Sequence, residues 1–473
     1  MLGKAEYQYI VQRLQDKERP FLRPRGFPAK AFDIETLPYQ LSLGNGETRV
    51  VYPRALSFTR EWGEKTWVEK TNALTKEERR DCQIVIIPPR HTKNGNGDFS
   101  ISLHRELQED NLGSRHPVIL FNRTRYEEHE YGKNIGMDVG QQKAVKSVYI
   151  VASGVTEEDL SDIRAVAKEY KDAGAIEVNL IAPFIKDERE DKNIGKSRDD
   201  KEGTYNGRII KIKNVMEAFS SAGIDRIVTF EPHSSATQSF AIINGMALAP
   251  ISLEEELIGE IKDKIRVDPN NWVVVRPDAG RNLVATRIER LFNLPGVHLE
   301  KLRNSATRQS ETTSLSEAEA MALKGKNTIL YDDEGGTLGT IRDIVLSKFI
   351  PAGVSSINIF LAHARLQKKW RKNLDEIIRN AKKKNIPINI YFSDSRRPLG
   401  NLKLALRDYS KIIKVIPIKE KVKKTIMACI QGVNFWVNNG NQGVNWERSI
   451  LQAVPWFDSD DYWDKIAGLS ASN

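Results

Sequence analysis

Short apolar runs rich in β-branched residues recur along the chain, and turn residues bound each of them. A run of this length without helical spacing predicts a buried strand. Four such runs, CQIVIIP, HPVILFN, KSVYIVAS and IEVNLIAP, begin at Cys82, His116, Lys146 and Ile176. Between the last two, apolar residues recur at helical spacing, acidic residues cluster early and Gly174 follows the end. The stretch therefore predicts a strand, a helix and a second strand.

The same alternation continues along the chain. It predicts a helix over about residues 207–222, strands from Arg226, Asn271 and Asn327, and a further helix that ends at Lys348. Such alternation favours an α/β fold with mainly parallel sheets and helices on both faces. Ligands of such sheets bind beyond the carboxyl ends of the strands. Polar and glycine-rich clusters stand at those ends and read PFIKDERED, EPHSSATQ, RPDAGR and DDEGGTLGT.

The length of the chain predicts more than one domain. A chain of 473 residues exceeds what a single hydrophobic core usually serves. Two blocks of strands and helices, residues 110–250 and 251–430, have similar length and suggest a duplicated domain. Residues 1–109 are then an N-terminal extension, and the aromatic, Asn- and Gly-rich residues 431–473 a C-terminal one.

Charge and cysteine content narrow the class of protein. The 72 Lys and Arg residues exceed the 63 Asp and Glu residues, but they are spread through the chain, and we expect no nucleic-acid partner. Cys82 and Cys429 are too few for a disulfide framework or a metal cluster, which favours a cytoplasmic location. The sequence has neither a secretion signal nor an apolar run long enough to span a bilayer, so no membrane partner is expected.

The strongest local motif is TILYDDEGGTLGT, in which an apolar strand ends in two acids and a Gly- and Thr-rich loop opens a helix. Glycines leave backbone N–H groups available, threonines add hydroxyl donors, and a helix N-terminus favours an anion. The carboxylates can hold ribose hydroxyls or a Mg²⁺ ion that bridges pyrophosphate oxygens. The alternative is a surface turn capped by Asp. The predicted acceptor-binding residues of this loop are Asp332, Asp333, Gly335, Gly336, Thr337, Leu338, Gly339 and Thr340.

This loop resembles the diphosphate-ribose motif of type I phosphoribosyltransferases. Over about residues 115–428, the order of motifs resembles the ribose-phosphate pyrophosphokinase (PRPP synthetase) family. The resemblance implies two tandem type I phosphoribosyltransferase-like domains, ATP and a ribose 5-phosphate-containing acceptor as substrates, and Mg²⁺ as cofactor. It also implies a homo-oligomer, either a dimer or a hexamer.

The resemblance implies an ATP site made from three segments. PFIKDEREDK is similar to the family's ATP-binding segment, and FEPHSSATQSF to its Asp-Leu-His segment, whose histidine contacts ATP and metal. RYEEHE is similar to the segment that a neighbouring subunit inserts around the adenine. The ATP-binding residues implied in this way are Arg189, Glu190, Asp191, His233, Tyr126, Glu128 and Glu130.

Two further segments imply catalytic and metal-binding residues. HLEKLRN resembles the family's flexible catalytic loop and carries over Lys301 and Arg303 as catalytic cations. VVVRPDAG resembles a strand end whose acid, here Asp278, faces ribose and metal, so Asp278 and His233 are the implied metal contacts. Pyrophosphate transfer spreads negative charge over several oxygens, and positioned cations supply much of its catalysis.

Departures from the family pattern leave the acceptor open. Gly336 replaces an acid, Glu334 is an unusual addition, and Arg281 stands where a small glycine is usual. One interpretation is an ordinary PRPP synthetase. A second is a related enzyme that accepts ADP-ribose, because an added arginine and a roomier loop could receive a second phosphate and an adenosine. A third is a non-catalytic, nucleotide-binding regulatory homologue, which the retained cations and acids disfavour.

Overall fold

The computed structural model describes part of the chain. The described residues are 39–42, 48–51, 74–75, 78–79, 81–89, 99–109, 116–125, 131–134, 145–190, 210–233, 235–276, 282–299, 301–303, 310–312, 315–396 and 400–432.

Strands in the described residues are numbered in chain order. They are β1 (Tyr39–Ser42), β2 (Thr48–Val51), β3 (Cys82–Ile86), β4 (Val118–Leu120), β5 (Asn122–Arg125), β6 (Tyr131–Asn134), β7 (Ser147–Val151), β8 (Glu177–Ala182), β9 (Arg226–Phe230), β10 (Ala247–Ile251), β11 (Trp272–Arg276), β12 (Gly296–His298), β13 (Lys301–Arg303), β14 (Ser310–Thr312), β15 (Asn327–Gly335), β16 (Ser356–Ala364), β17 (Ile388–Ser393) and β18 (Ile413–Ile416).

Helices are numbered in the same way. They are α1 (Phe99–Glu109), α2 (Glu157–Asp172), α3 (Lys211–Ser221), α4 (Ser235–Ile243), α5 (Glu254–Gly259), α6 (Lys262–Val267), α7 (Asn282–Phe292), α8 (Glu317–Leu323), α9 (Gly339–Ile344), α10 (Ile350–Ala352), α11 (Trp370–Lys383), α12 (Gly400–Asp408) and α13 (Lys419–Ile430). A π turn, Val345–Phe349, joins α9 to α10, and a 3₁₀ turn, Pro269–Asn271, precedes β11.

Two six-stranded sheets dominate the fold. Their strand orders are β10-β9-β8-β7-β3-β4 and β12-β11-β15-β16-β17-β18. All pairs within both sheets are parallel. The predicted α/β class is therefore confirmed, and the sheets are wholly rather than mainly parallel. Three two-stranded antiparallel ladders, β1-β2, β5-β6 and β13-β14, lie outside the sheets.

The first sheet begins earlier in the chain than the sequence pattern indicated. Strand β3 lies between β7 and β4 in this sheet, and helix α1 connects β3 to β4, although both elements precede residue 110. The residues on either side of β3 are polar and rich in turn formers, so the sequence pattern did not indicate that β3 belongs to the first sheet. The domain boundary at residue 110 stays a prediction, while the pairing of β3 with β7 shows that the first sheet includes a strand that precedes it.

Alternate side chains of the strands enter different cores, as expected for strands covered on both faces. In the first sheet Val85 packs with α2, α3 and α4, while Ile84 and Ile86 enter a second cluster. That second cluster also contains Val274 and Ile329 from the second sheet. The two sheets thus share one continuous core, which fixes their relative placement.

Helix α13 crosses back to the first sheet. The hydroxyl of Tyr149 in β7 donates to the carbonyl of Cys429 at 3.2 Å, and the helix also contacts α1 and β8. Burial raises the pKa of both Cys82 and Cys429 to about 12. Both thiols stay protonated near neutral pH, which argues against a thiolate nucleophile.

Local sequence explains helix α2 in detail. The Thr156 hydroxyl accepts from the Asp159 backbone N–H, and the Asp159 carboxylate accepts from the Thr156 N–H. This reciprocal pair satisfies two donors of the first turn. At the other end Gly174 has φ of 97°, which ends the helix as predicted. Among the described helices, none combines the length and hydropathy needed to cross a bilayer.

Candidate active site between the two sheets

The carboxyl ends of strands from both sheets meet at one place. Segments after β7, β8 and β9 in the first sheet lie against the ends of β15, β16 and β17 in the second. The contacts that join them include His233 with Asp333, Arg189 with Glu334, and Ser153 with Ser395. Ligands of parallel sheets bind at such ends. The candidate site is therefore formed by both halves of the chain.

His233 and Asp333 form the central polar contact of this site. The Nδ1 atom of His233 lies 2.5 Å from Oδ2 of Asp333. Asp333 is buried and His233 is about a quarter exposed. The carboxylate fixes the orientation of the ring and occupies Nδ1. Nε2 is then the ring nitrogen that could contact a ligand. The backbone N–H of His233 also donates to the Glu188 carboxylate at 3.2 Å.

A sharp turn brings His233 to this position. Strand β9 ends at Phe230, and Glu231 adopts a positive φ of 42°. The Glu231 carboxylate accepts the backbone N–H of Leu253 at 2.8 Å, so the turn is tied to the end of β10. A non-glycine residue in this backbone region is strained and persists only where its surroundings hold it.

The segment after β8 is fixed by backbone contacts with the segment after β7. Gly154 N–H donates to the Phe184 carbonyl, and Lys186 N–H donates to the Gly154 carbonyl, each at 2.8 Å. A Cβ atom on Gly154 would lie 2.5 Å from Cδ2 of Leu160, so a larger residue here would require the buried Leu160 side chain to shift. Glu190 forms an ion pair with Lys211, with 3.2 Å between Oε1 and Nζ. Arg189, the preceding residue, pairs instead with Glu334 of the second sheet.

Glu334 forms ion pairs with two arginines that come from different parts of the fold. Its Oε2 lies 3.3 Å from Nε of Arg189, and its Oε1 lies 3.2 Å from Nη1 of Arg365. The Glu334 side chain is 5% exposed, whereas Arg189 is 42% exposed. A buried carboxylate requires such partners because its desolvation is otherwise costly.

The loop that is predicted to bind the acceptor, residues 335–340, follows Glu334 and is called the acceptor loop below. Strand β15 continues to Gly335, beyond the two acids where the sequence pattern ended it, because Gly335 pairs with Ala364 of the equally long β16. A Cβ on Gly335 would lie 2.9 Å from both Leu361 Cδ1 and Phe392 Cε1. Glycine is therefore required where the loop leaves the sheet.

The carbonyl groups of the loop are held by the body of the second sheet. Leu366 N–H donates to the Gly335 carbonyl at 2.7 Å, and Gln367 N–H to the Gly336 carbonyl at 3.0 Å. The Asn373 side chain donates to the Thr337 carbonyl at 2.8 Å. The loop is thus positioned before any ligand binds, which favours recognition of a fixed anionic group.

A buried histidine joins the same strand ends. Nε2 of His363 lies 3.0 Å from the carbonyl of Phe230, and Nδ1 lies 2.7 Å from the hydroxyl of Ser395. These partners fit a neutral ring that donates from Nε2 and accepts at Nδ1. His363 thereby connects the end of β9, close to His233, with the ends of β16 and β17.

No model of a known protein family matches the chain. The ribose-phosphate pyrophosphokinase of Saccharolobus solfataricus is 26% identical over 218 residues, which are 46% of this chain and 68% of that protein. The phosphoribosylpyrophosphate synthetase of Mycobacterium smegmatis has a similar structure, with a TM-score of 0.53 and 18% identity. That likeness covers 74% of this chain and 99% of the other, and it concerns the fold.

The chain is thus similar in sequence to a ribose-phosphate pyrophosphokinase and similar in fold to a phosphoribosylpyrophosphate synthetase. Its fold, with two parallel sheets, is similar to that of the solved synthetase. The resemblance predicted from the motif order is therefore confirmed, as is the predicted fold class.

The structure brings together several residues that the family resemblance predicted. Arg189, His233 and Asp333 lie at the junction of the sheets. Asp332, Gly335 and the residues to Thr340 lie along the end of β15 and the start of α9. Glu190 lies beside Arg189 but pairs with Lys211.

Other predicted residues lie outside the described residues. These are Tyr126, Glu128, Glu130, Asp191, Asp278 and Arg281. Lys301 and Arg303 lie in strand β13, and their side chains are outside the described part. Their assigned roles stay predictions.

Sequence reasoning missed His363, Arg365 and Ser395. Strands β16 and β17 are apolar runs that end in the polar segments HARLQ and SDSRR. The rule that located the other clusters at strand ends applies equally to them. Their contribution could therefore have been found from the sequence by the same rule.

Burial of His363 predicts a pH-dependent stability. Desolvation is the main cause that lowers its pKa from 6.5, although Glu334 and Asp333 oppose the shift. Below about pH 6.5 the unfolded chain binds a proton on this histidine that the folded chain excludes. The free energy of unfolding therefore decreases as the pH is lowered, by up to about 1.4 kcal/mol per pH unit. Urea unfolding of wild type and His363→Gln across this range should show a shallower slope for the variant. Equal slopes would contradict the assignment.

Proposed function

We propose that the chain is a diphosphokinase that transfers pyrophosphate from Mg-ATP to the anomeric hydroxyl of a ribose 5-phosphate group and releases AMP. The acceptor is ribose 5-phosphate or ADP-ribose. Similarity to a ribose-phosphate pyrophosphokinase supports the reaction type. The site geometry supports the same reaction, because an ATP-side histidine and an acceptor-side carboxylate are in direct contact.

The contact between His233 and Asp333 is the observation that carries the proposal. The segment with His233 is the proposed ATP side, and the segment with Asp333 is the proposed acceptor side. A reaction that joins a nucleotide phosphate to a sugar hydroxyl needs both substrates within bonding distance. Because the two segments meet through a 2.5 Å contact, the structure supports a shared reaction centre.

Each side has a separate task in this scheme. Arg189 and His233 bind the triphosphate and orient it. Asp332 and Asp333 orient the ribose, and the loop from Gly335 holds the acceptor phosphate. The anomeric oxygen then attacks the β-phosphorus, the bond from that phosphorus to the α-bridging oxygen breaks, the hydroxyl proton is released, and AMP leaves.

The described side chains fit a magnesium ion held largely by substrate. Within the described residues no group of three or more His, Cys, Asp or Glu side chains could hold a metal. Mg²⁺ commonly takes one or two carboxylates together with water and substrate phosphates. Asp332 and Asp333 suit that arrangement, and Asp278 is a further proposed ligand. The ion supplies charge neutralisation on the phosphates, whereas the nitrogen of His233 is better suited to a phosphate oxygen.

Two further proposals rest on the family resemblance. Lys301 and Arg303 in β13 are the proposed catalytic cations, which would stabilise charge that develops on the transferred group. Tyr126, Glu128 and Glu130 are proposed to contact the adenine of a neighbouring subunit. A homo-oligomer follows from that second proposal.

The decisive test measures AMP release from Mg-ATP with ribose 5-phosphate and, separately, with ADP-ribose. We expect AMP formation with at least one acceptor and none without acceptor. Formation with ribose 5-phosphate would establish a PRPP synthetase, and formation with ADP-ribose alone would establish the larger acceptor. Nucleotide binding without AMP from either acceptor would contradict the proposal and favour a regulatory homologue.

A further inference from the structure

Asn373 of α11 joins the acceptor loop to the helix that follows it. Its Nδ2 donates to the Thr337 carbonyl at 2.8 Å, and its Oδ1 accepts from Nη1 of Arg342 in α9 at 3.1 Å. Arg342 can only donate, so the amide oxygen faces Arg342 and the amide nitrogen faces the loop. Because Asn373 is buried, both polar ends of its amide need such partners. The side chain is therefore held in one orientation.

This contact sets the direction of the peptide group between Thr337 and Leu338. The described peptide bonds are trans, and in a trans peptide the carbonyl and the following N–H point in opposite directions. Asn373 draws the Thr337 carbonyl toward α11, so the Leu338 N–H points away from α11. Within the described part of the chain, this N–H makes no hydrogen bond to protein. It is thus a donor that the fold directs but does not use.

Leu338 has a strained backbone. Its φ is 59°, in a region that a leucine rarely adopts. Such a conformation persists only where its surroundings hold it. The buried Leu338 side chain packs in the core of the second sheet, and Asn373 holds the carbonyl that precedes it. If the second contact is removed, the peptide group can rotate while the side chain stays in the core.

The carbonyls of the acceptor loop are held in two different ways. Backbone N–H groups of Leu366 and Gln367 hold the Gly335 and Gly336 carbonyls, and any residue except proline supplies such a group. The Thr337 carbonyl is held by a side chain. Its orientation therefore depends on the identity of residue 373, whereas the orientation of the other two carbonyls depends on the backbone.

We infer that Asn373 is a positioning residue for acceptor binding, which turns the Leu338 N–H toward the phosphate of the acceptor. The inference rests on the proposed function, in which the acceptor loop holds that phosphate. Asn373 is buried and acts through the Thr337 peptide group. Its loss should therefore weaken binding of the acceptor and leave ATP, which is proposed to bind at the segment with His233, unaffected.

The test compares Asn373→Asp with wild type in the full chain. The change keeps the size of the side chain and the acceptor for Arg342, but it removes the donor to Thr337. Steady-state AMP release is measured while the acceptor and Mg-ATP are varied separately. We expect KM for the acceptor to rise by about tenfold or more, and kcat and KM for ATP to change by less than about twofold. An equal rise for both substrates, or a loss confined to kcat, would overturn the inference.

Two further variants control for charge and for structure. Asn373→Leu removes the same donor without adding charge and should raise KM for the acceptor to a similar extent. A normal KM in this variant would mean that the aspartate acts by repelling the phosphate, which would contradict the assignment. The matched control is Asn380→Asp, because Asn380 lies on the same helix and donates from Nδ2 to the Glu376 carbonyl, also at 2.8 Å. Its KM values should equal those of wild type, and a comparable rise there would indicate a general effect of the helix.

A binding measurement separates this inference from the reaction itself. Calorimetric titration of ribose 5-phosphate and of ADP-ribose, with Mg²⁺ and α,β-methylene-ATP present, reports affinity without turnover. Asn373→Asp should weaken whichever acceptor wild type binds by about tenfold or more, even if wild type releases no AMP. Unchanged affinity would reject the inference alone, whereas the absence of binding of both ligands to wild type would reject it together with the proposed function.

Discussion

Asp333→Asn is expected to lower kcat/KM for AMP release by about a hundredfold or more. The change keeps the shape of a buried side chain and removes its charge. Asparagine cannot replace the carboxylate that orients the His233 ring at 2.5 Å. It also removes a proposed magnesium and ribose ligand. Both substrates should therefore lose their alignment, and kcat should fall more than ATP affinity.

The matched control is Asp343→Asn. This residue follows the same loop in α9, is 41% exposed and pairs with Arg342. We expect activity close to wild type in the control and near-normal unfolding midpoints in both variants. AMP release, ATP affinity and thermal unfolding are measured together. Near-normal kcat in Asp333→Asn would remove Asp333 from the site, whereas equal losses in both variants would indicate a general structural effect.

Arg226→Met is expected to lower the free energy of unfolding by about 3–5 kcal/mol. Nη2 of Arg226 lies 2.7 Å from Oε2 of Glu177, and its Nε lies 2.5 Å from the Asn179 side-chain oxygen. All three residues are buried. Removal of the cation leaves a buried carboxylate whose other arginine partner, Arg79, lies 3.9 Å away. The free energy lost with the buried ion pair exceeds the free energy gained by burying the apolar side chain of methionine.

The loss should depend on pH. Burial is the main cause that raises the pKa of Glu177, and Arg226 opposes it. Without Arg226 the pKa rises further, so the folded variant binds a proton that the unfolded chain has released. Stability of the variant is therefore lost as pH rises above the usual glutamate value and regained as pH falls.

Urea unfolding near pH 7 and near pH 5 measures this dependence. The control is Arg266→Met, since Arg266 is 68% exposed and lies 4.0 Å from Asp263. An exposed pair of this kind contributes at most about 1 kcal/mol. A loss in Arg226→Met no larger than in the control, or one that grows as pH falls, would contradict the account. These residues lie at the amino ends of β8 and β9, away from the site, so substrate affinity should not change.

The sequence by itself determined the fold class and several local features. Strands buried on both faces leave continuous apolar runs, so β7, β8 and β9 are readable without knowledge of their neighbours. The capping pair Thr156 and Asp159 lies within one helical turn and is equally local. The resemblance to ribose-phosphate pyrophosphokinases was also readable from the order of short motifs, because each motif follows the end of a strand.

Only the tertiary structure decided which strand ends meet. His233 and Asp333 are 100 positions apart, and no local pattern pairs them. Strand β3 joins the first sheet through pairing with β7, although its surroundings in sequence are polar. Glu334 likewise reads as an unexplained acid until Arg189 and Arg365 are placed on either side of it. Periodicity reports burial of a segment, whereas contacts between distant segments depend on sheet order and packing, which the sequence encodes only collectively.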